Sequence, residues 1–206
     1  MRLCSFVVRN DIGLAPNPFH GYCTVAITTP NQMGLRAQPG DWLMGTQPVH
    51  KGEKLIFAME ISEIMSLHDY FHDPRFEQKK PVKGGDQIER VGDNMYYQDE
   101  NGEWQQHPTR YHTSRYERAQ DTKHPSVFIA ENFYYLGENA VELPEEFQPM
   151  IRRRHGCKCA HEPEVVQAFL KWLAETYEPG VHGDPGDWPR RKIIPEPVIY
   201  LKDQNR

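Results

Sequence analysis

No apolar run in this chain approaches the roughly 20 residues that a membrane-crossing helix needs. The stretch Leu3-Cys4-Ser5-Phe6-Val7-Val8 is too short for the apolar core of a secretory signal. A membrane protein is not expected, and a cytoplasmic setting is. A positive charge balance is missing as well. The formal net charge is −5, which excludes a globally basic binder of duplex nucleic acid, because such binding needs many Lys and Arg contacts to phosphate. Cysteine is scarce, and in a cytoplasmic chain Cys4, Cys23, Cys157 and Cys159 are expected as reduced thiols. The chain has no Gly-x-Ser-x-Gly elbow, no phosphate-binding loop ending in Gly-Lys-Ser/Thr and no Gly-x-Gly-x-x-Gly turn, so three common catalytic and nucleotide-binding signatures are absent.

Aliphatic residues are also few. Hydrophobic content is 38 %, set beside 17 Pro, 15 Gly, 9 Phe, 10 Tyr and 4 Trp. That balance points to a β-rich, loop-rich architecture. At 206 residues, a single domain spanning 1–177 with a Pro/Gly-rich extension over 178–206 is expected. Leu3–Val8, Tyr22–Thr28 and Asp41–Thr46 read as strands, and Lys54–Ile64 and Ser126–Leu136 as longer ones. Ser66 is placed to cap a short helix with Asp69 at its third position. Residues 72–125 form a polar excursion, expected largely on the surface, with an Asn101-Gly102 hairpin signal inside it. Pro144–Arg154 reads as a short helix. Glu164–Tyr177 is an amphipathic helix, with Val165, Val166, Phe169, Leu170, Leu173 and Tyr177 on one stripe. Val198–Leu201 reads as a last strand or docked extension.

Several residues carry candidate chemistry. In an extended segment His155, Cys157, Cys159 and His161 face one side, and zinc accepts such ligands. All four lie within seven residues, unlike the two-segment arrangement of most zinc sites, so no metal is expected and this set is the alternative. Arg152-Arg153-Arg154 suits either phosphate or the negative end of a helix. Lys79, Lys80 and Lys83 read as a solvated cluster. Cys23 reads as an inert thiol inside a strand rather than a nucleophile paired with His20. Tyr111-His112-Thr113-Ser114 offers an acid or base. Asn17, Phe19, His20 and Trp42 sit in Gly- and Pro-punctuated loops beside apolar runs, where ligand sites concentrate. Asn and His can read a base edge, and Phe or Trp can stack on a base.

The order of these pieces resembles the nucleotide modification associated domain 2 family. The resemblance runs through Ala15–Thr24, Ala37–Thr46, Phe57–Met59, Tyr70–Phe76, Gly92–Tyr96 and Asn132–Gly137. It implies a phage or bacterial setting near enzymes that modify DNA bases, and it carries no established reaction. A loop ending in Gly-Asp, two following strands and an Asp-Pro are similar to EVE and other PUA-like domains. The expected fold is therefore α+β, with a PUA/EVE-like mixed β-barrel core, peripheral helices and the C-terminal amphipathic helix. The expected function is recognition of a nucleobase or nucleotide carrying a modification. Asn17 and His20 would read the base, Trp42 or Phe19 would stack, Arg75 would meet phosphate, and Asn94 and Asn132 complete the ligand set. The partner is then a nucleotide or nucleic acid with a modified base, alongside DNA-modification enzymes, and no cofactor is expected. An enzyme using His20, Asp41, Asp73, Asp93 or His112 is the alternative, although Asp41 and Asp73 serve equally well as turn formers. An interaction domain without a nucleotide ligand is the third reading.

Overall fold

The computed structural model describes residues 1–188, so the strand expected at Val198–Leu201 lies outside them. In chain order the elements are β1 (Leu3–Val7), β2 (Cys23–Val25), α1 (Thr29–Gln32), β3 (Trp42–Thr46), β4 (Leu55–Glu60), β5 (Glu63–Ser66), α2 (Leu67–His72) and α3 (Gln87–Arg90). They continue with β6 (Tyr96–Gln98), β7 (Trp104–Gln106), α4 (Arg115–Asp121), β8 (Ser126–Ala130), β9 (Phe133–Tyr135), α5 (Pro163–Thr176) and β10 (Gly180–Val181). A five-stranded sheet has the order β1-β3-β4-β9-β10, a three-stranded sheet the order β2-β8-β5, and β6-β7 form a hairpin. The hairpin turns at Asn101-Gly102, and Ser66 caps α2 by accepting from the Asp69 amide, both as the residue types dictate.

The two long apolar runs behave differently from a single strand each. Lys54–Ile64 becomes β4 in the first sheet and β5 in the second, and Ser126–Leu136 becomes β8 in the second and β9 in the first. The runs stay paired through this corner: the Glu60 amide donates to the Asn132 carbonyl at 2.9 Å and the Ser62 amide to Ile129 at 2.8 Å. The corner turns the chain from sheet to sheet without closing them. Among the described residues the strands form open sheets rather than the expected PUA/EVE-like barrel, so the α+β class stands and the barrel does not.

Side chains alternate across these strands and build layers. Leu3, Trp42, Met44, Ala58 and Tyr134 face α5 through Phe169 and Leu173. Cys4, Phe6, Leu43, Phe57, Met59 and Tyr135 face Val25, Phe128 and Ala130 of the second sheet. Val127 and Ile129 turn the other way, onto Leu67, Tyr70, Phe76, Met95 and Tyr96. Both sheets are therefore covered on two faces, which is why their strands read as continuous apolar runs. Gly45 lies where a Cβ would collide with the Phe57 ring and Val8.

The polar excursion lies mostly on the surface, as expected, although Phe76, Val91, Met95 and Tyr96 within it are buried core residues. The short helix expected in Pro144–Arg154 is present as a 3₁₀ helix over Glu145–Met150, where Pro149 withdraws a backbone donor. One further expectation is corrected. Cys4 and Cys159 are joined in a disulfide rather than reduced. The segment around Lys158 runs antiparallel to β1, with the Ser5 and Lys158 amides exchanging hydrogen bonds at 2.8 and 2.9 Å, and so brings the two sulfurs together. No described helix is long and apolar enough to cross a membrane.

Candidate functional site

Where β1 ends, a cleft of about 670 Å³ opens between the chain after β1, the start of α1 and the loop before α4. Its floor is apolar, from Phe6, Val8, Ile12, Leu14 and Ile27, and its walls carry Arg9, Asn10, Thr28, Thr29, Gln32, Arg110, Tyr111, His112 and Glu117. An apolar concavity with a few convergent polar groups is the usual form of a ligand site. Arg9 and Arg110 are exposed and make no ion pair among the described residues.

His112 is held from below by α4. Ser114 caps that helix, its hydroxyl accepting from the Glu117 amide while the Glu117 carboxylate accepts from the Ser114 amide. The helix ends on Asp121, fully buried. Its Oδ2 lies 2.5 Å from His112 Nδ1 and accepts from the Tyr96 hydroxyl at 2.9 Å, while Oδ1 accepts from Gln32 Nε2 at 2.7 Å. With both oxygens engaged, the carboxylate is fixed and orients the ring. Burial disfavours the His112 imidazolium, but the Asp121 hydrogen bond and charge outweigh it and raise the pKa above its ordinary value. Nδ1 is engaged, so Nε2 is the nitrogen left for another partner. A buried carboxylate that orients an imidazole at the wall of a cleft is the arrangement of a general acid or base.

The model of nucleotide modification associated domain 2 matches residues 1–192 of this chain. The chain belongs to that family. It matches no curated protein and no solved structure. Membership ties this nucleotide modification associated domain to nucleotide modification, and the EVE/PUA-like likeness finds no support beside it.

Within the domain, five of the expected site residues, Asn17, Asp41, Trp42, Asp93 and Asn94, are buried. Asn17 is 1 % exposed; its Nδ2 donates to the Val91 carbonyl, and its Oδ1 accepts from Lys79 Nζ at 2.7 Å. Lys79, expected in a solvated cluster, is buried, and its ammonium also donates to the Asn17 and Tyr22 carbonyls. Burial pulls its pKa down to about 8. Asp93 accepts from the Thr24 and Tyr70 hydroxyls at 2.6 and 2.8 Å. Burial raises its pKa against the pull of Lys79. Asn94 is buried with its amide donating to the Tyr70 and Phe76 carbonyls. Cys23 is buried beside this network, within a strand as expected, and burial pushes its thiol up to about 12.

Trp42 is stacked on Tyr134 beneath α5, with ring centroids 6.4 Å apart. Phe19 is stacked on Trp188, whose indole N–H donates to the Ile12 carbonyl. Asp41 accepts from the Arg2 amide and guanidinium. Burial works to raise its pKa, and the Arg2 and Gln38 hydrogen bonds prevail and lower it. Asp73 caps the turn at Pro74 and, with Glu63, neutralises Arg75. Asn132 ties the sheet corner to Glu60. His20 is exposed at a loop tip with φ of 60°, outside the cleft. Of the zinc alternative, Cys159 is in the disulfide and His161 Nε2 lies 2.9 Å from the Lys158 carbonyl oxygen. Among the described residues, no three His, Cys, Asp or Glu are placed to hold a metal ion.

Of the expected residues, His112 with Tyr111 and Thr113 of its motif, and His155 of the zinc alternative, line the cleft. The sequence reading missed Arg9, Gln32, Arg110 and Asp121. A usable signal existed for Asp121. Ser114-x-x-Glu117 is a capping box, and the helix it starts carries Asp121 back toward His112. Arg110 lies two residues before His112 and is local to that motif, whereas Arg9 and Gln32 are brought in by tertiary contacts that leave no local trace.

Proposed function

We propose that the domain binds a nucleotide in this cleft, with Arg9 and Arg110 on the phosphate and the base over the apolar floor beside Tyr111 and His112. The observation that carries this reading is the meeting of two exposed guanidiniums, which make no ion pair among the described residues, with an oriented imidazole in one cleft, in a chain of net charge −5. Guanidinium forks match phosphate oxygens. Family membership supplies the nucleotide-modification setting, and a modified base is the natural discriminating feature there. On this reading the cleft replaces Asn17, Phe19 and Trp42 as the place of recognition, because Asn17 and Trp42 are buried and Phe19 is stacked on Trp188 outside the cleft.

The test is a calorimetric titration with the deoxynucleoside 5′-monophosphates, plain and base-modified. Arg110→Ala should weaken binding at least about tenfold, the size of a lost charge-assisted hydrogen bond. Wild-type protein that binds none of them, or a variant that binds as well, overturns the reading. One observation favours a second reading, catalysis: the Asp121 carboxylate orients His112 and raises its pKa. On that reading His112→Gln abolishes turnover of the bound nucleotide and leaves its affinity largely intact.

A further inference from the structure

The cleft does not end at His155. A second cleft of about 550 Å³ adjoins it and shares Val7, Arg9, Asn10, Thr29 and His155 as walls. Its remaining walls include Lys51, Arg153 and Arg154, and among the described residues no carboxylate lines it. We propose that this second cleft takes the phosphates of neighbouring nucleotides, so that the substrate is single-stranded nucleic acid rather than a free mononucleotide. The proposal rests on the nucleotide reading of the first cleft and extends it to the substrate's class.

The side chains of the Arg152-Arg153-Arg154 run divide their work. Arg152 is turned back onto its own chain, donating to the Arg154 and His155 carbonyls at 3.1 and 2.6 Å. That contact holds the turn. Arg153 Nε lies 2.7 Å from Glu53 Oε1 without a well-directed hydrogen bond, and Lys51 is paired with Asp187. Arg154 is exposed and makes no ion pair among the described residues. The 3₁₀ helix Glu145–Met150 ends just before this run, and among the described residues none of the three guanidiniums donates to its carbonyls.

Arg9 therefore stands at the junction, Arg110 in the first cleft and Arg154 in the second, three guanidiniums along one groove that make no ion pair among the described residues. A chain with a net charge of −5 gains nothing in solubility from gathering them there. Each cleft falls within the roughly 300–1,000 Å³ of a small-molecule site, so a mononucleotide fills one and leaves the other. A strand fills both. The ligand is single-stranded because His112 is reached inside a concavity, and a base enters it at no unpairing cost only from a single strand.

The experiment compares deoxynucleoside 5′-monophosphates with random-sequence deoxy- and ribo-octamers and a duplex hairpin, by fluorescence anisotropy across a salt series. An octamer should bind at least about tenfold tighter than any monophosphate, and log affinity should fall with log salt by about 0.7 per phosphate engaged. Arg154→Ala, at an exposed position, should cost the octamer about tenfold and lower the salt slope by about 0.7, while leaving monophosphate binding unchanged. Monophosphates bound as tightly as octamers, or an Arg154→Ala protein with unchanged octamer affinity and slope, overturn this inference alone. A hairpin bound as tightly as the single strand overturns its single-stranded part. Binding of neither monophosphate nor octamer overturns the nucleotide reading beneath it.

Discussion

At His112 the backbone sits at φ of 51°, a conformation that non-glycine residues adopt uncommonly. The contacts around it over-determine that geometry. Asp121 holds the ring from α4, and the Tyr111 and His112 carbonyls accept from Gln106 Nε2 at 3.3 and 3.0 Å. Backbone held in such a position tends to mark a site. The Asp121 contact also makes stability depend on pH, with a sign that follows from the direction of the shift. The His112 pKa is raised on folding from its ordinary 6.5, so its contribution is complete below that value and is lost as pH rises through the higher folded pKa. Asp121→Asn should lower the titration midpoint of His112 in a proton NMR series and flatten the loss of urea resistance over that window. A His112 midpoint that does not move would show that Asp121 is not its charge partner. His112 was legible in the sequence as an acid or base in a polar stretch. Its partner lay across a helix, and of the arginines beside it Arg110 is two residues away while Arg9 comes from the far end of the chain.

At the scale of elements, what the sequence showed depended on whether the signal was local. The cap of α2, the Asn-Gly hairpin and the stripe of α5 all lie within a few residues, and all three formed. The breaks between β4 and β5 and between β8 and β9 did not show, because both flanks of each corner are apolar and are buried in different layers. The pairing of Cys4 with Cys159 did not show either, since it spans 155 residues. That bond anchors the segment leading from the second cleft onto β1, whose far end leads into the first. Closing so long a loop restricts the unfolded chain, and native disulfides of this kind contribute about 2–4 kcal/mol. The double variant Cys4→Ser, Cys159→Ser should unfold at correspondingly lower urea, and dithiothreitol should shift the parent and not the variant. Thiol titration of the denatured, unreduced parent should find only Cys23 and Cys157 reactive. Four reactive thiols would remove the bond from the argument.

The molecule as a whole is built so that no layer can leave without uncovering the next. The first sheet lies between α5 and the second sheet, and the second between the first sheet and the α2–hairpin layer. Two chain runs cross the corner and belong to both sheets at once. Two buried titratable side chains, Lys79 and Asp93, each held by its own hydrogen bonds, sit behind the second sheet, where opening would admit water. This construction should make the two sheets one cooperative unit, with β4, β8 and β9 opening together at the free energy of global unfolding. Native-state hydrogen exchange with mass readout tests it. Amides of β4 in the first sheet and β8 in the second should show one opening free energy and the same urea dependence. The loop before α4 and the turn at Arg154, which border the clefts and contribute few residues to the core, should exchange at lower free energy. Earlier exchange of β8 than of β4 would divide the fold at the corner. The clefts would then lie on a scaffold that opens in parts, and the alignment of Arg9 on β1's extension with Arg110 and His112 would no longer be fixed by a common core.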